Sequence, residues 1–451
     1  MTVSESRRRI GVFSHGGTKN LGDEALLATV IQNVRARVPG AEVVGFTINP
    51  DDTRERHGIA AFPIRQWKPE LPGSAEEPAT AVAVPSQPSS RPSVSWKRYI
   101  KAVPGVLATV RALRSTLAIV RSVLHEPKFL LDSYRRLSDV ELLLVAGSQQ
   151  LNDNWGGVWG FPLTLYKWSL LARLTGTKVA FLSVGAGPVK SRLSWFLYRR
   201  VLRNASYRSY RDAVSSQLVE SVGVKGPNPV YPDLVYSLKL PVPPPTSAER
   251  GTAIVGANPV PYFDDRYWPE SDPGVYRNYV GKITRFVEWL DQNGYSILLF
   301  PTQVRADLRT IQDIRTNLNG AGHSPRMVAG APIQNIDDLT SEIARADFVI
   351  ASRYHGILLA LALNKPVLGV AYHEKCRALL EMAGQGDYVL DIANFRAEDL
   401  IEKFQALQAN AEQIKKEISQ RIARLREALE EQYDAVFGLI GVAPMRSRKA
   451  G

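Results

Sequence analysis

One pattern constrains this chain more than any other: a short apolar run, a glycine-rich or polar turn, then apolar residues at helical spacing, repeated along two stretches. Arg9 to Ser14 is the first such run, His15 to Gly22 its turn, Asp23 to Val38 the helix and Val43 to Ile48 the next strand. The pattern returns at Val140 to Ala146 and continues through Lys178 to Val184 and Tyr207 to Tyr210, with helices near Pro162 to Thr175, Ser191 to Asn204 and Asp212 to Ser221. Pro241-Val-Pro-Pro-Pro-Thr246 can continue neither a helix nor a central strand and reads as a linker. Beyond it the alternation restarts at Thr252 to Ala257, Ser296 to Pro301, Phe348 to Ala351 and Pro366 to Val370. Parallel strands joined by helical crossovers are the natural outcome. The prediction is an α/β protein of two Rossmann-like domains, 1–240 and 247–451, facing across a cleft. Two helices between Ala397 and Leu439 close the chain, the last expected to pack near the domain interface.

The length agrees, since 451 residues exceed the roughly 250 to 300 at which one core stops growing. A break falls inside the first domain, at about 66–137. Pro69 to Ser95 is rich in Pro, Ser, Ala and Glu, which predicts a flexible insertion. Trp96 to Leu137 carries Val103, Val106, Leu107, Val110, Leu113, Leu117, Val120 and Leu124 at spacings of three and four, which predicts an amphipathic helix. Residues 97–137 hold nine Lys or Arg against two acids, a net +7 out of the chain's formal +12. That concentration fits a packed helix with a solvated basic face, or peripheral docking on an anionic membrane. No zinc-finger spacing, RNP-like strand or basic zipper points to nucleic acid. The lone Cys376 can form no intramolecular disulfide, and the first residues run into a strand without a leader-like apolar stretch. A cytoplasmic protein is expected, at most peripheral at the inner face of the membrane.

Four segments carry chemistry. Gly16-Gly-Thr-Lys-Asn-Leu-Gly-Asp-Glu-Ala25 follows the first strand and leads into a helix whose N-terminus favours an anion; Asn20 and Asp23 there either shape the turn or contact a ligand. Ala146-Gly-Ser-Gln-Gln-Leu-Asn-Asp153, with Asn154 and Trp155, offers amides, a carboxylate and an aromatic ring suited to a sugar. Arg211 ends a strand where its planar donors can meet carboxylate or phosphate, whereas Asp212 is placed to cap the next helix. Ile350-Ala-Ser-Arg-Tyr-His-Gly356 brings Ser352, Arg353 and His355 to the start of an apolar helix, and Ala371-Tyr-His-Glu-Lys375 brings Lys375 beside it. Three cationic candidates converging this way form a plausible phosphate and carboxylate pocket. No metal cluster is visible.

The Asn20-Leu-Gly-Asp-Glu-Ala25 opening, the second loop ending at Asp153, the Arg211-Asp212 pair, and Ser352-Arg-Tyr-His355 with Lys375 resemble, in order and spacing, the motif series of polysaccharide pyruvyl transferases. The likeness runs from about residue 10 to about residue 385, leaves out the insertion, and meets Ala146 where another glycine is expected. It implies a GT-B-like fold, phosphoenolpyruvate as donor with no further cofactor, and a sugar or lipid-linked oligosaccharide acceptor with two nearby hydroxyls. Carried onto this sequence, Arg211, Ser352, Arg353, His355 and Lys375 hold the donor, His355 is the catalytic acid and Asp23 the candidate base. Asn20, Asn152, Asp153 and Trp155 are the candidates for the acceptor. Two other functions share this fold: a glycosyltransferase using a nucleotide-sugar, and a glycan-binding subunit without turnover.

Overall fold

The computed structural model describes residues 8–18, 20–66, 125–154, 156–242, 251–268, 270–320 and 325–445. Residues 67–124 of the expected insertion, most of the proline-rich linker and Trp155 lie outside these. Residues 125–137 are helical, and Phe129 and Leu137 are buried in the first sheet's core, so this end of the basic segment is a packed helix.

The first sheet holds six parallel strands: β1 (Arg9–Phe13), β2 (Glu42–Thr47), β3 (Ala60–Pro63), β4 (Leu142–Ala146), β5 (Lys178–Val184) and β6 (Tyr207–Tyr210), in the spatial order β3-β2-β1-β4-β5-β6. The second holds β7 (Ile254–Asn258), β8 (Ser296–Leu299), β9 (Phe348–Ala351), β10 (Val367–Ala371) and β11 (Val389–Asp391), in the order β11-β10-β9-β7-β8 and also all parallel. Both faces of each sheet are covered, so central strands such as Leu142–Ala146 are apolar throughout. The strand order reverses between β1 and β4 in one sheet and between β7 and β9 in the other. Crevices for ligands open at the carboxyl ends of strands at such points.

Three elements escape a pattern search. Helix α2 (Pro50–His57) buries only Pro50 and Thr53, so it has no apolar stripe, and β3 and β11 are four and three residues long.

Helix α1 (Leu21–Arg37) is buried nearly all round because it lies between the first sheet and the second half. Leu21 N–H donates to Thr302 O across that boundary at 3.2 Å. Its polar residues are therefore paired: Glu24 accepts from Gly17 N at 2.7 Å and lies 2.7 Å from His57 Nε2. The last helix, α12 (Ala411–Gly438), was expected near the domain interface and crosses back to the first sheet there, with Gln432 Nε2 donating to Ser183 Oγ at 3.2 Å. Beyond it, Ile440 O accepts from Arg8 Nη1 at 2.7 Å. Among the described residues no helix is long and apolar enough to cross a membrane.

Candidate functional site

The carboxyl ends of the two sheets face each other, and polar side chains from both meet between them. Arg211 follows β6, Gln149 follows β4, and Lys375 stands in the first turn of the helix Glu374–Met382 after β10. Gln149 Oε1 accepts from Arg211 Nη2 at 3.3 Å and from Lys375 Nζ, so two cations from opposite halves point at one oxygen. Arg211 also reaches Asp233 Oδ2 at 3.4 Å and lies over the Tyr354 ring. Burial works against its charge, but Tyr354, Asp233 and Asp212 together raise its pKa. Burial, then the charge of Arg211, lower Lys375 to about 8. Around these groups is a cleft of about 320 Å³ lined by Gln149, Asn152, Tyr354, Tyr372, His373 and Lys375 among others.

His355 opens the helix Tyr354–Ala362 after β9. Its Nε2 is buried without a hydrogen-bond partner, and its ring lies flush on Gly22 of the opposite half. A Cβ on Gly22 would sit 2.0 Å from His355 Nδ1, so only glycine admits the ring. Asp23, the next residue, accepts from Ser148 Oγ at 2.9 Å and from Asn20 Nδ2 at 3.0 Å. Burial raises the Asp23 pKa, opposed by His355; burial lowers the His355 pKa, opposed by Asp233 and Asp23. Burial favours the uncharged form of each, and the opposite charge of the other favours the charged form.

Other expected site residues have different work. Arg353 is anchored to buried Asp307, its Nε and Nη2 donating to Oδ1 at 3.0 and 2.7 Å, so much of its charge is spent inside the second half. Ser352 turns inward, its Oγ 3.1 Å from Tyr279 OH. Asn20 caps α1 through Gly22 N at 3.1 Å and steadies Asp23, which leaves its amide committed. Asp153 accepts from the backbone N–H groups of Lys190 and Ser191, which hold its pKa low against burial; it fixes the loop before the helix Arg192–Asn204 and offers no free carboxylate to an acceptor. Asn152 lines the cleft. Asp212 caps its helix, accepting from Ser215 N at 2.7 Å.

Sequence reasoning missed Gln149, Ser148, Asp233 and Asp307. The first two stand in the quoted second loop and were given no role. Asp233 follows Tyr231-Pro232, a strand-end signal that could have found it; Asp307 lies inside a helix (Val304–Gly320) and carries no local signal. Among the described residues no group of three or more His, Cys, Asp or Glu is placed to hold a metal ion.

The family model described as polysaccharide pyruvyl transferase matches residues 20–374. No curated protein matches the chain by sequence. Among solved structures, a Neisseria meningitidis UDP-GlcNAc 2-epimerase bound to UDP-GlcNAc is similar over 94% of this chain and 100% of its own, with a TM-score of 0.51 and 12% identity. A glycosyltransferase from Rickettsia africae is similar over 96% and 99%, with a TM-score of 0.51 and 11% identity. At these identities the likeness shows the fold alone: two Rossmann-like domains of the GT-B type.

Proposed function

The chain belongs to the polysaccharide pyruvyl transferase family, and from that premise we propose that it transfers the enolpyruvyl group of phosphoenolpyruvate to two hydroxyls of one sugar, forming a pyruvate ketal in a cell-surface or exopolysaccharide precursor. The observation that carries this reading is the meeting of Arg211 and Lys375, one from each half, on the single oxygen of Gln149 beside the Asp23 and His355 pair. Two fixed cations aimed at one oxygen position suit a phosphate or carboxylate.

In the proposed reaction a proton goes to the methylene carbon of phosphoenolpyruvate, leaving cationic character at the carbon that bears the phosphate. One sugar hydroxyl attacks there and gives up its proton. The carbon–oxygen bond to phosphate then breaks, the second hydroxyl closes the ketal, and its proton leaves with the phosphate. His355 is the proposed acid: its unpartnered Nε2 is free to carry the proton, and a bound trianion would raise a pKa that burial lowers in the ligand-free protein. Asp23, with its raised pKa, is the proposed base for the first hydroxyl. Arg211 and Lys375 stabilise the departing phosphate, and Arg353, held by Asp307, adds positive potential at one remove. A cytoplasmic location, with peripheral contact to an anionic membrane through residues 97–137, belongs to the same proposal.

Incubating the protein with phosphoenolpyruvate and a panel of sugars tests it. The expected product is heavier than its acceptor by one pyruvate less one water, with stoichiometric phosphate release. Release of a nucleoside diphosphate from a nucleotide-sugar, with no turnover of phosphoenolpyruvate, would instead select the glycosyltransferase reading. Binding of sugars with neither turnover would select a non-catalytic subunit.

A further inference from the structure

Arg65 lies two residues beyond β3, at the carboxyl edge of the first sheet, and is 8% exposed. Its guanidinium lies 4.8 Å from the centroid of the Phe161 ring, and its Nε and Nη1 have no hydrogen-bond partner. Among the described residues no carboxylate pairs with it. Phe161 also packs against His15, with 4.1 Å between ring centroids. His15 Nδ1 is 3.3 Å from Ser148 Oγ, and its Nε2 is buried without a partner.

Hydrogen counting fixes what these atoms can accept. With Asp23 ionised, as its role of base requires, Ser148 gives its one hydroxyl proton to Asp23 Oδ1 and can only accept from His15, which places the imidazole proton on Nδ1. Burial and the charge of Arg65 lower the His15 pKa to about 3, so the ring is neutral and Nε2 is a bare acceptor. The pair thus presents an acceptor matched to a hydroxyl beside planar donors matched to an oxyanion. Leaving a buried guanidinium and imidazole in that condition is costly without some compensation.

The cations assigned to the donor stand elsewhere. Arg65 follows β3 and Arg211 follows β6, the two ends of the six-strand order. At about 4.8 Å per strand those ends lie roughly 24 Å apart, too far for one phosphoenolpyruvate to bridge. The Asp23 and His355 pair lies between them and is joined to His15 through Ser148. Resting on the reading of the site given above, we propose that Arg65 and His15 form an acceptor subsite for an acidic sugar: Arg65 grips a carboxylate or phosphate on the acceptor, and His15 Nε2 accepts from one of its hydroxyls.

Calorimetric titration of the full chain tests this with three probes: glucuronate, glucose 1-phosphate and glucose, each in the absence and presence of saturating phosphoenolpyruvate. The expected result is that at least one charged sugar binds about tenfold or more tighter than glucose. The better charged probe identifies carboxylate or phosphate as the group recognised. Arg65→Gln and Arg65→Met should abolish that preference and leave phosphoenolpyruvate affinity unchanged, whereas Arg65→Lys should keep part of it. Equal binding of all three sugars to the unaltered protein overturns the subsite whether or not any variant folds, and so does a charged-sugar preference that survives Arg65→Gln. Failure of phosphoenolpyruvate to bind the unaltered protein is a separate result, which counts against the donor assignment; the sugar arms run without it still read the Arg65 site.

Discussion

At the level of single residues, the site turns on how charge is shared. Among the described residues no carboxylate stands within hydrogen-bond reach of Lys375, which, with a pKa of about 8, begins to lose its proton in the mildly alkaline range. An anion bound beside it would restore the charged form and lift the pKa towards its ordinary value. The Lys375 contribution to phosphoenolpyruvate affinity should therefore be flat below about pH 8 and fall by up to about tenfold per pH unit above it, with proton uptake on binding in that window. Titration calorimetry in buffers of different ionisation enthalpy reads both, and Lys375→Arg should flatten the profile. An affinity that does not change between pH 7 and 10 would take Lys375 out of the donor site. Gln149 gives a second prediction. Its Oε1 already occupies the position where Arg211 and Lys375 converge, so a donor oxygen must displace it. Gln149→Ala removes the competitor and should tighten phosphoenolpyruvate binding by about three- to tenfold, since hydrogen bonds to charged groups are worth roughly 1.5 to 3 kcal/mol and water recovers part of that. Weaker binding by the variant would make Gln149 a ligand of the donor in its own right. Residue types and their order along the chain exposed Arg211, Arg353, His355 and Lys375 in the sequence. Their partners stayed hidden: Asp307 lies 46 residues from Arg353, and only the packing of the helix Val304–Gly320 beside the end of β9 brings it there.

At the level of elements, the long alternating segments were readable and the short polar ones were not. Periodicity reports burial on a face, so β5 falls where the apolar pattern put it, while α2, whose charged residues leave only Pro50 and Thr53 buried, leaves no trace in such a pattern. The same limit explains Asp153 and Asn20. Strand-end loops look like ligand contacts in sequence, but the N–H groups at the start of the following helix need acceptors too, and these side chains supply them. Helix α1 matters to the chemistry through one missing side chain. Gly22 lets the His355 ring lie against the first turn of α1, next to Asp23. Alanine is ordinarily the better helix former, by about 1 kcal/mol. Gly22→Ala is nonetheless expected to cut turnover by about a hundredfold, because the added methyl must push His355 off its position or part the two halves, and displacements near 1 Å cost that much. The check is steady-state turnover alongside a melting curve. Normal turnover in a folded Gly22→Ala protein would show that the contact of His355 with α1 is dispensable.

Across the whole molecule, the site exists only while the two halves hold their relation, because Asp23 and Arg211 come from one and His355 and Lys375 from the other. Two features fix that relation. A single apolar cluster runs from β1 and β4 through α1 into the second sheet, and α12 stitches the halves together from outside. Arg426 donates to Tyr236 O of the first half at 3.0 Å and to Ala362 O of the second at 3.5 Å, and Arg37, buried in α1, reaches Glu430 at 2.5 Å. Gln432 goes deepest. Ser183 has a φ of +46° where the pairing of β5 with β6 shifts register, and its hydroxyl meets the Gln432 amide, which also donates to Ser209 Oγ. A buried amide between two strands and a helix is costly to lose, since two serine hydroxyls and a cavity remain. Gln432→Ala should lower stability by about 2 kcal/mol. Because one core serves both halves, the unaltered protein should melt in one calorimetric transition. Gln432→Ala should also weaken phosphoenolpyruvate binding, although it touches no residue of the site, because Arg211 and Lys375 meet only when α12 holds the halves in place. The two effects separate on adding excess phosphoenolpyruvate: a donor that bridges the halves should recover part of the lost melting temperature by mass action. Two independent transitions in the unaltered protein, or a destabilised Gln432→Ala protein with undiminished donor affinity, would mean that α12 supports the first half alone and that the halves find each other without it.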